Sequence, residues 1–201
     1  MPDLDEIIVR EFFELNGFLV RQLGKHETSS KKKHWEETVD LIVENPDAHQ
    51  NEPIVGFQLF AHGLKSLQKA LIVIRGWQSP KANPATLKSN PKTLAFIKKD
   101  AGGKDEYYFD FDTNETNELA SFLKILVIPS LPKTEPHRQE CIDILKQKGV
   151  DGIITVRTLL DNIIQKVEIN RDYKKSEVLQ LIKTLKIYDL IKDPQMDLFS
   201  K

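Results

Sequence analysis

The sequence predicts an α/β fold in which helices flank a mixed β-sheet. The run Ala-Leu-Ile-Val-Ile-Arg-Gly-Trp at residues 70–77 is almost entirely apolar, as expected for a central strand buried on both faces. Residues 38–44 indicate a neighbouring strand in which Asp40 is the only charged residue before the last position, Glu44. Beyond residue 123, strand and helix patterns alternate, which is typical of a layered α/β domain.

The chain begins with an amphipathic helix. Between residues 4 and 15, apolar residues recur every three or four positions, and Asn16-Gly17 is a typical helix stop. The elements expected next, besides the two strands above, are a strand at 18–22, a polar loop at 24–34, an extended and then helical segment at 57–67, a loop at 78–84, a helix at 91–100, a strand at 106–112 and a short helix capped by Asn114.

The C-terminal half repeats the same alternation. Its expected elements are a strand at 124–128, a helix at 135–148, a strand at 152–156, a helix at 159–167 and a helix from Ser176 to 191. The division that follows is an α/β core at 1–156, a helical extension at 157–191 packed on the core, and a flexible tail at 192–201.

Composition indicates a soluble globular protein. Of the 201 residues, 40% are hydrophobic, no stretch approaches the ~18 apolar residues of a membrane span, and the acidic N-terminus does not resemble a signal peptide. We therefore expect no membrane partner and a cytoplasmic location. The single cysteine, Cys141, excludes an intramolecular disulfide and a thiolate-rich zinc site. The oligomeric state stays open.

The charge distribution leaves room for a local basic face. The formal net charge of -1 argues against a surface coated with basic residues for nucleic acid. Residues 65–104, however, contain nine basic residues and one acidic residue, Asp100. This segregation indicates either a basic face on a neutral protein or ordinary solvated helix faces.

The order of helix, strand, Asp-bearing strand, longer apolar strand, helix and strand over residues 4–156 resembles the restriction-endonuclease-like fold of the PD-(D/E)xK phosphodiesterase superfamily. In active members, an acid on the first helix, a strand aspartate and a Glu-x-Lys on the next strand hold magnesium, which neutralises phosphate charge and activates water. The resemblance implies Glu11 or Glu14 as the helix acid, Asp40 as the strand aspartate, and Arg75 in the place of the lysine.

The sequence departs from this pattern at Val73, which occupies the place of the strand acid and cannot bind a metal. Arginine contacts phosphate as a bidentate donor but is poorly suited to proton transfer because its pKa is very high. Glu44 shares a strand face with Asp40 by alternation, so these two carboxylates are the candidate metal ligands.

The resemblance therefore implies a nuclease-like, DNA-associated protein of replication or repair with a degenerate site for Mg²⁺ or Mn²⁺. If active, it would be a metal-dependent endonuclease. The alternative is a non-catalytic protein-interaction module on the same scaffold. In that case the helix acids form a solvated face and Arg75 pairs with Asp40 structurally.

Two further segments have candidate binding residues. Lys31, Lys32 and Lys33, with Trp35 nearby, would contact phosphates and stack on a base if their loop lies near the same site. The alternative is a solvated loop.

The tail sequence Gln-Met-Asp-Leu-Phe resembles the short peptide by which bacterial replication and repair proteins bind the sliding clamp. Gln195 would make the oriented polar contact, and Leu198 and Phe199 would anchor in an apolar pocket. Pro194 disfavours helix at the preceding residue, which lets the peptide extend. The alternative is that Leu198 and Phe199 fold back onto their own domain.

Overall fold

A mixed sheet forms the centre of the protein. The computed structural model describes residues 4–22, 39–47, 56–75, 82–89 and 122–191. In this part of the chain the strands are β1 (Leu19–Gln22), β2 (Leu41–Glu44), β3 (Lys69–Ile74), β4 (Leu123–Ile128) and β5 (Gly152–Thr155). They lie in sequence order across the sheet. The pairs β1–β2 and β2–β3 are antiparallel, whereas β3–β4 and β4–β5 are parallel.

Helices cover both faces of this sheet. They are α1 (Leu4–Leu15), a 3-10 helix (Ala61–Ser66), α2 (Pro84–Ser89), α3 (Glu135–Gln147), α4 (Val156–Lys166) and α5 (Glu177–Ile187). One apolar cluster joins the sheet to α1, α4 and α5, and a second joins its other face to α2 and α3. The architecture is therefore a helix, sheet, helix sandwich, which confirms the expected α/β class with a mixed sheet flanked by helices. None of the described helices is both long and apolar enough to cross a membrane.

The apolar run of β3 is explained by burial on both faces. Ala70 and Ile72 point into the cluster with α1, whereas Leu71 and Val73 point into the cluster with α3. None of these four side chains is more than 2% exposed. Successive side chains of a strand alternate between faces, so a strand covered on both sides needs apolar residues at every position.

The turn after α1 connects that helix to β1. Gly17 has a φ of +87°, its N–H donates to Glu14 O at 3.0 Å, and the N–H of Phe18 donates to Phe13 O at 3.0 Å. A left-handed residue closing the last helical turn is the usual glycine C-cap. The helix expected at residues 4–15 is confirmed, because its stop signal is a residue that adopts this conformation without a Cβ penalty.

The helices after β5 pack against α1. The Asn16 amide donates to Asn162 Oδ1 at 2.8 Å, and Lys166 Nζ donates to Leu15 O at 3.0 Å. Both bonds join the C-terminal end of α1 to the C-terminal half of α4. The two helices therefore run in a similar direction, and residues of both α4 and α5 belong to the same apolar cluster as α1.

The structure also differs from the expected elements. The strand expected at 38–44 begins at Leu41, so Asp40 precedes it. Pro84 opens α2, although a loop was expected at 78–84 and no element at 85–89. Proline suits the first helical position, where its missing N–H is not needed, and this explains why a helix follows it here. The helix at 91–100, the strand at 106–112 and the Asn114 cap lie outside the described residues.

Candidate functional site

Asp40 is fixed against the end of β3 by two hydrogen bonds. Its own N–H donates to Ile72 O at 3.0 Å, and its Oδ2 accepts from the N–H of Ile74 at 2.6 Å. The side chain thus supplies an acceptor to the last residue of β3, which lies beyond the part of β3 paired with β2. This places the carboxylate at the edge of the sheet where β3 ends.

Arg75 directly follows β3 at the same edge. Its N–H donates to Val127 O at 2.8 Å, which continues the pairing with β4, and its Nη1 donates to Ile74 O at 2.9 Å. The guanidinium lies close enough to Asp40 for its charge to lower the pKa of that carboxyl. The structure therefore brings together Asp40 and Arg75, two of the residues that the sequence singles out.

Burial dominates the electrostatics of Asp40. The pKa of the carboxyl is raised from 3.8 to about 6, chiefly by desolvation; the Ile74 hydrogen bond and the charge of Arg75 act in the opposite direction, and the charge of Glu6 makes the smallest contribution, which also raises the pKa. Glu6 belongs to the first turn of α1. Raised carboxyl pKa values that have a charged partner cluster at functional sites, so this edge is a candidate site.

Three parallel strands end at this edge, and two helices start there. In the sheet register Ile74 aligns with Val127, and Ile128 aligns with Thr155. The helices α3 and α4 follow β4 and β5, and therefore begin at the carboxyl ends of these strands. In open α/β sheets, ligands bind outside the carboxyl ends of the strands.

The start of α4 adds positive potential to this edge. The helix begins immediately after β5, and Thr155 Oγ1 caps it by accepting from the N–H of Thr158 at 3.3 Å. Its first turn contains no acidic residue. The positive end of the helix dipole, at the end of β5, is therefore not offset by an acidic side chain of its own first turn.

The helix acids Glu11 and Glu14 lie elsewhere. Both line a cavity of about 400 Å³ between α1 and the segment 172–179 that leads into α5. Glu11 is 5% exposed and lies 3.6 Å from Arg10. Burial and the charge of Glu11 raise the pKa of Glu14, while Arg10 lowers it. The helix carboxylate whose charge acts on Asp40 is instead Glu6.

Glu44 does not join Asp40 either. It ends β2, pairs with Lys69 at 3.1 Å, and aligns with Lys69 at the first residue of β3. Four residues of strand separate it from Asp40 by about 13 Å. Alternation places two residues on one face of a strand, but a shared metal needs oxygen ligands within a few ångströms of each other.

The remaining sequence candidates are a buried valine and residues outside the described part of the chain. Val73 is fully buried in the cluster with α3, so no side chain from that position reaches the site. Outside the described residues lie the basic loop and the tail peptide, namely Lys31, Lys32, Lys33, Trp35, Gln195, Leu198 and Phe199.

Sequence reasoning missed Glu6. The position of Glu6 depends on the direction of α1. Hydrogen bonds at Asn16 and Leu15 join the end of α1 to the later part of α4, so both helices start near the carboxyl edge. Glu6, in the first turn of α1, is then close enough for its charge to act on Asp40. Helix periodicity alone gives the buried face and not the end that meets the sheet edge.

Asp40 is the carboxylate fixed at this edge, and Glu6 is near enough for its charge to act on Asp40. Two carboxylates suit Mg²⁺ or Mn²⁺, since magnesium is commonly held by one or two carboxylates together with water and substrate phosphate. Within residues 4–22, 39–47, 56–75, 82–89 and 122–191, no three His, Cys, Asp or Glu side chains cluster closely enough to hold a metal ion. The residues thus fit a partial metal site.

Comparison of the chain with protein-family models, with curated proteins and with solved structures found no match. The functional argument therefore rests on the geometry of this edge.

Proposed function

We propose that this protein is a DNA-associated, nuclease-like protein of replication or repair on a restriction-endonuclease-like scaffold, with a degenerate metal site. The observation that carries the proposal is the meeting of Asp40 and Arg75 at the carboxyl ends of β3, β4 and β5. An acid just before one strand, a basic residue at the end of the next and an acid on the first helix approximate the arrangement that the resemblance implies.

Each residue of the site has a role in this proposal. Arg75 uses one N–H group on Ile74 O, and a phosphate would accept from other N–H groups of the same guanidinium. Asp40 and Glu6 would hold Mg²⁺ or Mn²⁺. When bound, the metal would neutralise phosphate charge and lower the pKa of a water.

The hydrolytic step is weak or absent in this proposal. Val73 supplies no ligand, and a guanidinium is poorly suited to accept a proton from water. Asp40 is the remaining group with a pKa near neutrality, at about 6. The residues therefore support phosphate binding better than turnover.

The cleavage experiment incubates the protein with supercoiled plasmid and Mg²⁺ or Mn²⁺. The variants are Asp40→Asn and, as a matched control, Asp47→Asn, an exposed carboxylate beyond the other end of β2. Slow nicking that needs the metal, persists in Asp47→Asn and is lost in Asp40→Asn supports an active enzyme. No cleavage that depends on both metal and Asp40 removes the enzymatic part of the proposal.

The second candidate is a non-catalytic interaction module on the same scaffold. It is favoured by one observation: the side chain of Val73, which takes the place of the strand acid, is fully buried in the core, with 0% exposure. DNA binding that depends on Arg75 discriminates the two candidates, because the interaction module needs no phosphate site.

Tethering to a sliding clamp is a separate part of the proposal and rests on the tail peptide. A purified bacterial clamp should retain the wild-type protein and lose it when Leu198 and Phe199 are both replaced by alanine. Equal retention of the two forms would end this part of the proposal.

A further inference from the structure

A cavity of about 400 Å³ lies between α1 and the segment that leads into α5. One wall is formed by Arg10, Glu11 and Glu14 of α1. Glu14 follows the other two by four and three residues, so the three side chains share one helix face. The other wall is formed by residues 172–176 together with Leu179. The volume is within the range of small-molecule sites, which is roughly 300–1,000 Å³.

Glu11 is a buried carboxylate in this cavity. The residue is 5% exposed, and within the described part of the chain its carboxylate accepts no hydrogen bond. Its ion-pair partner Arg10 approaches with Nη2 only to 3.6 Å from Oε1, which is too long for a hydrogen bond. Leaving a buried carboxylate without a hydrogen bond costs free energy, so such a group in a cavity indicates a donor that occupies the cavity.

Arg10 does not satisfy the two carboxylates of this wall. Its Nε lies 3.8 Å from Glu14 Oε1 and is buried without a hydrogen-bond acceptor among the residues that the structure describes. Glu11 and Glu14 are near enough to repel each other, because the charge of Glu11 adds to burial in raising the pKa of Glu14. Two carboxylates therefore share one guanidinium that donates a hydrogen bond to neither of them.

The opposite wall combines engaged polar groups with an apolar surface. Tyr173 Oη accepts from the N–H of Glu168 at 3.0 Å, and Lys174 Nζ lies 3.2 Å from Asp172 Oδ2. Tyr173 and Leu179 are 8% and 4% exposed and belong to the apolar cluster with α1. The carboxylates that lack donors therefore lie on α1, and the apolar part of the lining lies across the cavity from them.

We propose that this cavity binds a small organic amine in its ammonium form. The ammonium group would donate to Glu11 and Glu14, and the alkyl part would lie against Tyr173 and Leu179. An ammonium carries several N–H donors and no acceptor, which suits two carboxylates whose own guanidinium is too distant. Lys175, which also lines the cavity, is exposed, so solvent screens its repulsion of a cation. This inference does not depend on DNA binding.

The experiment titrates the isotope-labelled full chain with n-butylamine at neutral pH, at which the amine is an ammonium ion. The readout is the nuclear magnetic resonance shift of the backbone amides. We expect saturable shifts in residues 10–14 and 173–179. Neither n-butanol, which has the same chain length without a charge, nor butyrate, which has the opposite charge, should produce them.

Glu11→Gln tests the buried carboxylate with little change in side-chain shape. It should weaken the binding of butylamine about tenfold or more, because a hydrogen bond between two charged groups is lost. Glu14→Gln, at a side chain that is 48% exposed, should weaken it by a smaller factor of about three. The matched control is Glu135→Gln on α3, where the side chain is 79% exposed, and it should bind like the wild type. Circular dichroism verifies that each variant is folded.

Three results would overturn the inference. The absence of saturable shifts with butylamine would show that the cavity holds water only. Affinities of Glu11→Gln and Glu14→Gln equal to that of the wild type would show that the amine binds elsewhere, and Glu14→Gln alone decides this point if Glu11→Gln does not fold. Binding of butyrate as tight as that of butylamine would show that the basic residues of the lining select the ligand.

Discussion

Asp40→Asn tests the buried charge of the candidate site through the stability of the whole protein. Asparagine keeps an oxygen that accepts from the N–H of Ile74, but it has no charge. The substitution therefore removes the cost of ionising the group while the hydrogen bond to β3 remains.

The magnitude follows from the pKa of Asp40, which rises from 3.8 to about 6 on folding. Between these values the native state holds more protons than the unfolded chain, so the free energy of unfolding of the wild type falls as the pH rises. Each pKa unit corresponds to about 1.4 kcal/mol. As the pH rises, the free energy of unfolding of the wild type therefore falls by about 3 kcal/mol, and that of the variant does not.

The assay is urea unfolding of both proteins at pH values from 3.5 to 8. The stability of Asp40→Asn relative to the wild type should increase by about 3 kcal/mol, with most of the change between pH 4 and 6. Asp47→Asn reports the effect of losing an exposed carboxylate. A difference between wild type and Asp40→Asn that is the same at every pH would refute the burial argument.

Four other substitutions test the fold by urea unfolding. Phe12→Ala, at a side chain with 0% exposure, should cost about 3–5 kcal/mol, whereas Leu19→Ala should cost under about 0.5 kcal/mol; equal losses would contradict the core assignment. Ser176→Ala removes the hydroxyl that accepts from the N–H of Leu179 at 3.2 Å and should cost about 0.5–2 kcal/mol; no loss would contradict the cap. In Gly17→Ala the added Cβ meets nothing within 4 Å, so the left-handed φ alone should cost about 1–2 kcal/mol, and a more stable variant would contradict it.

The sequence was sufficient for elements with a strong local pattern. The helix at 4–15 has a complete 3.6-residue periodicity and a glycine stop, and its bounds agree with α1. The central strand was evident because burial on both faces leaves no polar position in β3 after its first residue, Lys69. By contrast, the six residues of α2 are too few to show helical periodicity. Pro84 is also equally typical of a loop and of the first position of a helix.

Part of the candidate site could be predicted from the sequence. Asp40 precedes β2 and Arg75 follows β3. Predicting that these two strands are neighbours was therefore enough to bring the two residues together. Glu6 depended on the tertiary direction of α1, which periodicity does not contain. Glu44 shows the complementary error, because alternation fixes the face of a strand but not the distance along it.

The central claim is that Arg75 binds nucleic-acid phosphate at the carboxyl edge of the sheet. The most direct measurement is fluorescence anisotropy of a labelled DNA duplex titrated with wild type, Arg75→Gln and Arg171→Gln over a range of salt concentrations. Arg171 is an exposed control, located beyond the C-terminal end of α4. We expect Arg75→Gln to weaken binding about tenfold or more and to reduce the slope of log K against log salt by about 0.9, with Arg171→Gln unchanged. Binding by Arg75→Gln that equals the wild type at every salt concentration would contradict the account.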